Sequence, residues 1–265
     1  NNAAEYIKSE WRKLGLKVYE QRFEADGVIY KNVMVSFGPE EGKRIVVGAH
    51  YDVCGDRPGA DDNASGVAGL LELSRLLAEQ AGADRFGKLQ SRLTKRIDLV
   101  AYTLEEPPFF RTGFMGSSVH ARWLKSINAD VELMICLEMI GYFTDKPNSQ
   151  DYPVGMMKWM YPTTGNFIGV IGNFSGFGAV SQVKDLMRTH AKIDVQALNA
   201  PSFIRGVDFS DHLNYWKEGF DAVMITDTSF YRNENYHEDT DTIETLDFSR
   251  MSETISGVFA AVTRL

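Results

Sequence analysis

Five short segments carry residues able to do chemistry, and each follows an apolar run. They are His50-Tyr51-Asp52, Ala60-Asp61-Asp62-Asn63, Glu105-Glu106, Leu137-Glu138-Met139 and Tyr236-His237-Glu238. Two histidines and three carboxylates suffice to hold two divalent metals, and one further glutamate suffices to act as a base. Such a set points to metal-assisted hydrolysis or a close relative of it.

Each motif also has an ordinary reading. His50 and Asp52 form an H-x-D pair. A ligating imidazole commonly gives its other N–H to a carboxylate, and Asp52 is the candidate partner; the alternative is a histidine that caps a turn. Asp61, Asp62 and Asn63 precede a helix, where one such residue is needed as an N-cap. Three in a row leave one free to face a metal, and Asp62 could bridge two cations with its two oxygens. Glu105 and Glu106 follow a buried strand and precede Pro107-Pro108. Adjacent buried glutamates repel unless cations lie near. Neighbours at a strand end point opposite ways, so one can bind metal while the other faces substrate. Glu138 ends the apolar run Leu133–Leu137 and needs a partner. His237 lies in an acidic stretch that alone reads as a solvated loop. His120 and His190 read as surface residues of helices, and His212 as part of a capping motif.

The elements that must position these residues are legible from periodicity. Helical spacing marks residues 3–14, Asn63–Gln80, Ser117–Leu124, roughly 177–192 and a closing helix through Phe248, Met251, Ile255, Phe259 and Val262. Strands are expected over Lys17–Phe23, Tyr30–Phe37, Ile45–Ala49, Ile97–Leu104, Leu133–Leu137, Phe167–Ile171 and Ala222–Thr226. Alternating strands and helices imply an α/β fold: one domain over residues 1–265, with a mostly parallel central sheet between helical layers. The stretch 144–165 is the longest irregular segment and reads as a loop, not a boundary. His50, Glu105 and Glu138 all fall at carboxyl ends of strands, where open parallel sheets bind ligands.

Composition narrows the classes further. Of the 265 residues 44% are hydrophobic, enough for a sizeable core. A net charge of −8 and a pI of about 5.2 argue against nucleic-acid binding. Cys54 and Cys136 are expected to be two buried free thiols, not a disulfide. No apolar run reaches the roughly 18–20 residues of a membrane span. The chain opens at Asn1 without Met or a signal-like apolar region, which reads as a trimmed or mature form.

Taken in order, the motifs resemble the M28 family of zinc aminopeptidases. The match runs through Gly48-Ala49-His50-Tyr51-Asp52, then Pro58-Gly59-Ala60-Asp61-Asp62-Asn63-Ala64-Ser65-Gly66-Val67, which is the most specific. It continues through Glu105-Glu106 with Gly116-Ser117 beyond, Leu137-Glu138-Met139, and His237 with Asp239-Thr240. The resemblance implies a zinc-exopeptidase, phosphorylase/hydrolase-like fold and two zinc ions. It makes His50 and Glu138 ligands of the first metal, Asp62 the bridge, and Glu106 and His237 ligands of the second. It makes Glu105 the general base and Asp52 the aspartate behind His50. Glu138 departs from the family's usual aspartate. The stretch from Glu106 to Gly116 is longer than usual and adds Pro107-Pro108-Phe109-Phe110-Arg111.

The expected activity is removal of N-terminal amino acids from peptides with a free N-terminus. A glutaminyl-cyclase-like transferase with one zinc is the main alternative, and a non-catalytic domain of the same fold a third. Tyr231 and Asp211 are candidates for orienting the substrate. Phe109, Phe110, Tyr142, Phe143 and Phe209 are candidates for an apolar pocket, though core packing explains many such aromatics equally well. By analogy with the family the compartment would be secreted or periplasmic. Oligomeric state is not legible.

Overall fold

The apolar run at 45–49 becomes the centre of the molecule. In the computed structural model, which describes residues 2–80 and 93–265, strand β3 (Arg44–His50) is buried along its whole length. Its side chains alternate between two cores. Ile45, Val47 and Ala49 face a large cluster, and Val46 faces a smaller one. That alternation is what a strand covered on both faces requires.

The order of elements is α1 (Asn2–Lys13), β1 (Tyr19–Ala25), β2 (Val28–Phe37), β3, α2 (Gly66–Gln80), β4 (Arg96–Tyr102), α3 (Gly116–Ser126) and β5 (Val131–Leu137). It continues with β6 (Phe167–Gly172), α4 (Phe177–Arg188), β7 (Asp194–Asn199), α5 (His212–Lys217), β8 (Ala222–Thr226) and α6 (Phe248–Arg264). Among the described residues the strands form one sheet in the order β1-β2-β4-β3-β5-β8-β6-β7. The centre, β4-β3-β5-β8, is parallel. The margins bring in antiparallel pairs: β1 and β2 pair antiparallel, β2 runs antiparallel to β4, and β6, itself parallel to the edge strand β7, runs antiparallel to β8. The sheet is therefore mixed, and mostly parallel where the motifs lie.

Helices α1, α2, α4 and α6 cover one face through residues such as Trp11, Leu73, Val183 and Ile255. Helices α3 and α5 cover the other through Ala121, Leu124 and Tyr215. Each fully buried aliphatic side chain contributes about 1.5–3 kcal/mol. Gly48 is required at the centre, because a Cβ there would lie 2.2 Å from the Tyr102 ring.

Several sequence expectations shift. The helix expected from Asn63 begins at Gly66, because Asp62 (φ −103°, ψ 89°) and Asn63 (φ −132°, ψ 39°) are not helical. Strand β4 stops at Tyr102, and Leu104 turns to φ 61° just before the glutamate pair. Strand β7 and helix α5 were not expected: β7 is half-polar, and α5 is only 6 residues long. His120 is not on the surface. It is wholly buried on the inner side of α3, with Nδ1 2.6 Å from the Tyr215 hydroxyl. His190 is exposed, as expected. Both cysteines are free, but Cys54 is only half-buried while Cys136 is buried. The stretch 144–165 is a loop of the same domain with a short turn of helix at Gly155–Trp159.

Candidate active site

The parallel centre of the sheet brings three motifs together. His50 is the last residue of β3, Glu105 and Glu106 follow β4, and Glu138 follows β5. These three strands are neighbours, so the side chains converge at one sheet edge. The backbone leaves the strands abruptly there. Leu104, Met139 and His237 have φ of 61°, 50° and 60°. Non-glycine residues in the left-handed region are uncommon and cluster at functional sites.

The segment Asp61-Asp62-Asn63 divides its labour. Asp61 accepts from the Gly141 amide (2.9 Å) and the Asn233 side chain (2.8 Å). Asn63 takes the Gly66 amide (3.2 Å), the bond of an N-cap, and also ties Met139 N and Leu137 O. Asp241 accepts the amides of both Asp61 (2.9 Å) and Asp62 (3.1 Å). The flanking residues are thus spent on structure, and the Asp62 carboxylate faces two histidines.

Those contacts define the geometry. Asp62 Oδ1 lies 3.3 Å from His50 Nε2, and Asp62 Oδ2 lies 3.0 Å from His237 Nε2. Glu138 Oε2 is 3.4 Å from His50 Nε2, and Glu106 Oε2 is 3.3 Å from His237 Nε2. Two donor sets share one carboxylate: His50, Asp62 and Glu138, and His237, Asp62 and Glu106. Glu105 Oε2 sits beside the first set, 3.9 Å from His50 Nε2. The neighbouring glutamates thus turn to different histidines.

Asp52 lies beside His50, and it does more than face the imidazole. The partner at hydrogen-bonding distance from His50 Nδ1 is the Asp52 main-chain carbonyl (3.1 Å), and its carboxylate is 3.6 Å away. That carboxylate instead accepts the amides of Glu105 (3.2 Å) and Glu106 (3.1 Å). Asp52 therefore orients the histidine and pins the glutamate pair at once.

The electrostatics show what the cluster needs. Asp62, Glu105, Glu106 and Glu138 are each at most 6% exposed. Burial opposes charge on His50, but Glu138 and Glu105 outweigh it and hold its pKa well above the usual value. Burial likewise opposes charge on His237, and Asp62 and Glu106 override it, pushing its pKa up to about 10. Burial would raise Asp62, yet the two imidazoles bring it down to about 2. Burial raises Glu105 well above the ordinary range. His50 Nε2 and Glu106 Oε1 have no hydrogen-bond partner. Buried carboxylates facing bare imidazole nitrogens call for cations, so the residues present fit two divalent metals. Nitrogen and oxygen donors of this kind suit Zn, Co or Mn.

An apolar cleft of about 810 Å³, counting its open mouth, begins at Glu138 and is lined by Tyr152, Met157, Phe209, Met224, Tyr231 and Tyr236 among others. Tyr231, a candidate for orienting the substrate, and Phe209, a pocket candidate, thus both line this cleft. Phe109, Phe110, Tyr142 and Phe143 do not line it. Phe143 is core, and Phe110 packs edge-on against Phe209 (6.0 Å) behind the wall. Phe109 packs against Tyr30 and Phe114. Asp211 is wholly buried and does not line the cleft either, and burial pushes it up to about 7. His212 donates from Nε2 to Val207 O (2.8 Å) and is structural.

Three contributors escaped the sequence reading. Ser210 donates to Glu138 Oε2 (2.6 Å) and so holds the longer carboxylate in place. Tyr236 stacks on His237 with ring centroids 3.8 Å apart. Asp241 positions the Asp62 loop from 179 residues away. Only Tyr236 had a local signal, its place beside His237.

Two histidines and four carboxylates gathered at the carboxyl ends of the sheet's parallel central strands define a hydrolase-like site able to hold metal. The family comparison agrees: residues 32–262 match the model of peptidase family M28, and the chain belongs to that family. It is 46% identical to the uncharacterised protein YfbL of Escherichia coli (strain K12), over 97% of this chain and 78% of that protein. It is 25% identical to leucine aminopeptidase 1 of Ajellomyces dermatitidis over 83% of this chain, and spans about half (52%) of that relative. In fold it resembles a Bacteroides thetaiotaomicron glutaminyl cyclase, with a TM-score of 0.69, 18% identity, and coverage of 98% of this chain and 88% of that one.

Proposed function

We propose that this chain is a zinc-dependent aminopeptidase that uses two metal ions. The observation that carries the reading is the pair of donor triads sharing Asp62, with Glu105 beside them at the head of an apolar cleft. His50, Asp62 and Glu138 would hold one ion, and His237, Asp62 and Glu106 the other. Zinc bound there supplies an acidified water and Lewis-acid polarisation of the scissile carbonyl.

The chain's own residues do the rest. Glu105 Oε2 accepts a proton and returns it to the leaving amine. Burial raises its pKa above the ordinary carboxylate range, which strengthens it as a proton acceptor. The cleft accepts an apolar side chain while its head stays acidic, which favours a free α-ammonium group there. Tyr236 remains a neutral phenol, because burial and the surrounding carboxylates raise its pKa far above neutrality. It can therefore donate a hydrogen bond to a substrate in the cleft.

A cyclase of the same fold is the second reading, and the likeness to the bacterial glutaminyl cyclase favours it. Metal content per chain, measured with hydrolysis of a panel of aminoacyl-p-nitroanilides and cyclisation of an N-terminal glutaminyl peptide, separates the two. Two metals with chelator-sensitive hydrolysis support the aminopeptidase. One metal with cyclisation and no hydrolysis overturns it.

A further inference from the structure

The loop that follows His50 brings a sulfur to the metal cluster. Cys54 Sγ, a Glu106 carboxylate oxygen and a His237 ring nitrogen all lie within 4.8 Å of one another. Glu106 and His237 are already the two residues assigned to the second ion alone. Glu106 is 5% exposed, and its Oε1 has no hydrogen-bond partner. A buried, half-satisfied carboxylate beside a thiol and an imidazole is what a metal-binding pocket presents before the metal enters.

The local backbone holds the thiol there. Cys54 O accepts the Arg57 amide (3.1 Å), and Gly55 turns the chain at φ 57°. Arg57 then pairs with Asp239, two residues beyond His237. The turn that carries Cys54 is thereby tied to the loop that carries His237. Cys136 offers the contrast: it is fully buried, its Sγ lies 3.1 Å from Ser210 Oγ, and among the described residues it joins no such trio.

We propose that Cys54 is a ligand of the second metal, so that this ion is held by Cys54, Asp62, Glu106 and His237. The proposal rests on the metallopeptidase reading above. The metal–sulfur bond forms as the thiol proton leaves to solvent, since a coordinating thiol is deprotonated outright. The two ions then sit in different environments: nitrogen and oxygen only at the first, sulfur as well at the second. A soft thiolate favours Zn²⁺ over Mg²⁺ or Mn²⁺ at the second position. It also leaves that ion open to displacement by thiol reagents.

Cobalt gives a direct readout. The full chain, stripped with chelator, takes two equivalents of Co²⁺ while its absorption is recorded. The expected result is visible d–d bands together with a near-ultraviolet thiolate-to-cobalt charge-transfer band, the latter absent from Cys54→Ser. The variant should also bind the second ion at least about 10–100-fold more weakly, the loss typical when a supporting group around a metal is removed. Iodoacetamide should label Cys54 in the stripped chain, with Cys136 silent, and two equivalents of Zn²⁺ should block the labelling. Two bound cobalt ions without a charge-transfer band in the wild type would overturn the thiolate ligand and leave the peptidase reading intact. Equal second-ion affinity in Cys54→Ser would do the same. Failure to bind any cobalt would sink both.

Discussion

Glu105 and Glu106 are adjacent in sequence and chemically alike, yet their surroundings give them different work. Glu106 Oε2 meets His237 at 3.3 Å, whereas Glu105 Oε2 stands 3.9 Å from His50. Glu105→Gln keeps the shape and removes the base. The variant should bind both metals and unfold at the wild-type urea midpoint, with turnover lower by roughly 10²–10⁴-fold; near-normal turnover would show the wrong base had been chosen. Glu138 makes a second case. Its extra methylene is matched by Ser210, which donates at 2.6 Å to the oxygen that faces His50. Glu138→Asp withdraws that oxygen from both partners. Affinity for one of the two ions should fall by about 10–100-fold, read as a drop toward one metal per chain in dialysed protein. The residue types at both positions were legible in the sequence. Ser210 was not, because nothing local links residue 210 to residue 138, and the link exists only once β5 and the segment before α5 are side by side.

At the scale of the element, the strand ends were the most legible part of the molecule. Continuous apolar runs such as Ile45–Ala49 and Leu133–Leu137 announce buried strands, and the motif residues follow them directly. The connecting loops were less so. Asp61, Asp62 and Asn63 read as three equivalent candidates for capping or ligation. Folding separates them, because Asp241 takes the two amides while Asn63 caps α2. Asp241 is 1% exposed, and removing it leaves two buried amides unpaired. Asp241→Ala should cost about 1–3 kcal/mol in urea unfolding. It should also weaken metal binding, because Asp62 loses the support that aims it. Unchanged metal affinity in a destabilised variant would mean that Asp62 is held by other means. Strand β7 and helix α5 escaped notice for a plain reason. Most of β7 is only partly buried, and α5 is too short for its periodicity to show.

At the scale of the whole molecule, the sheet needs covering on both faces, and His120 shows what that demands. Its polar neighbours in sequence suggested a surface helix, but α3 packs on the face that holds Tyr102 and Tyr215. The ring is wholly buried there, with Nδ1 2.6 Å from Tyr215 Oη. Burial holds its pKa down at about 4. In the unfolded chain the same imidazole titrates near 6.5. The unfolded state therefore binds the extra proton first, and the contribution of His120 to stability is complete above about pH 6.5 and is lost as pH falls toward 4. His212, also held down to about 4 by burial, acts in the same sense. Buried carboxylates act in the opposite one. Asp61 and Asp211 are pushed up by burial to about 6 and about 7, so the folded state gains from their protonation as pH falls. The total profile mixes these effects, and a difference isolates one of them. His120→Gln cannot titrate. At pH 7 the variant should be less stable than the wild type, having lost a fitted buried ring. By pH 4.5 the gap should narrow by about 2–3 kcal/mol. Urea midpoints of the metal-free chains at the two pH values measure it, since stripping the metal removes its own pH-dependent loss from the comparison. A gap that stays constant from pH 7 to 4.5 would mean that His120 is protonated inside the folded protein, contrary to its burial.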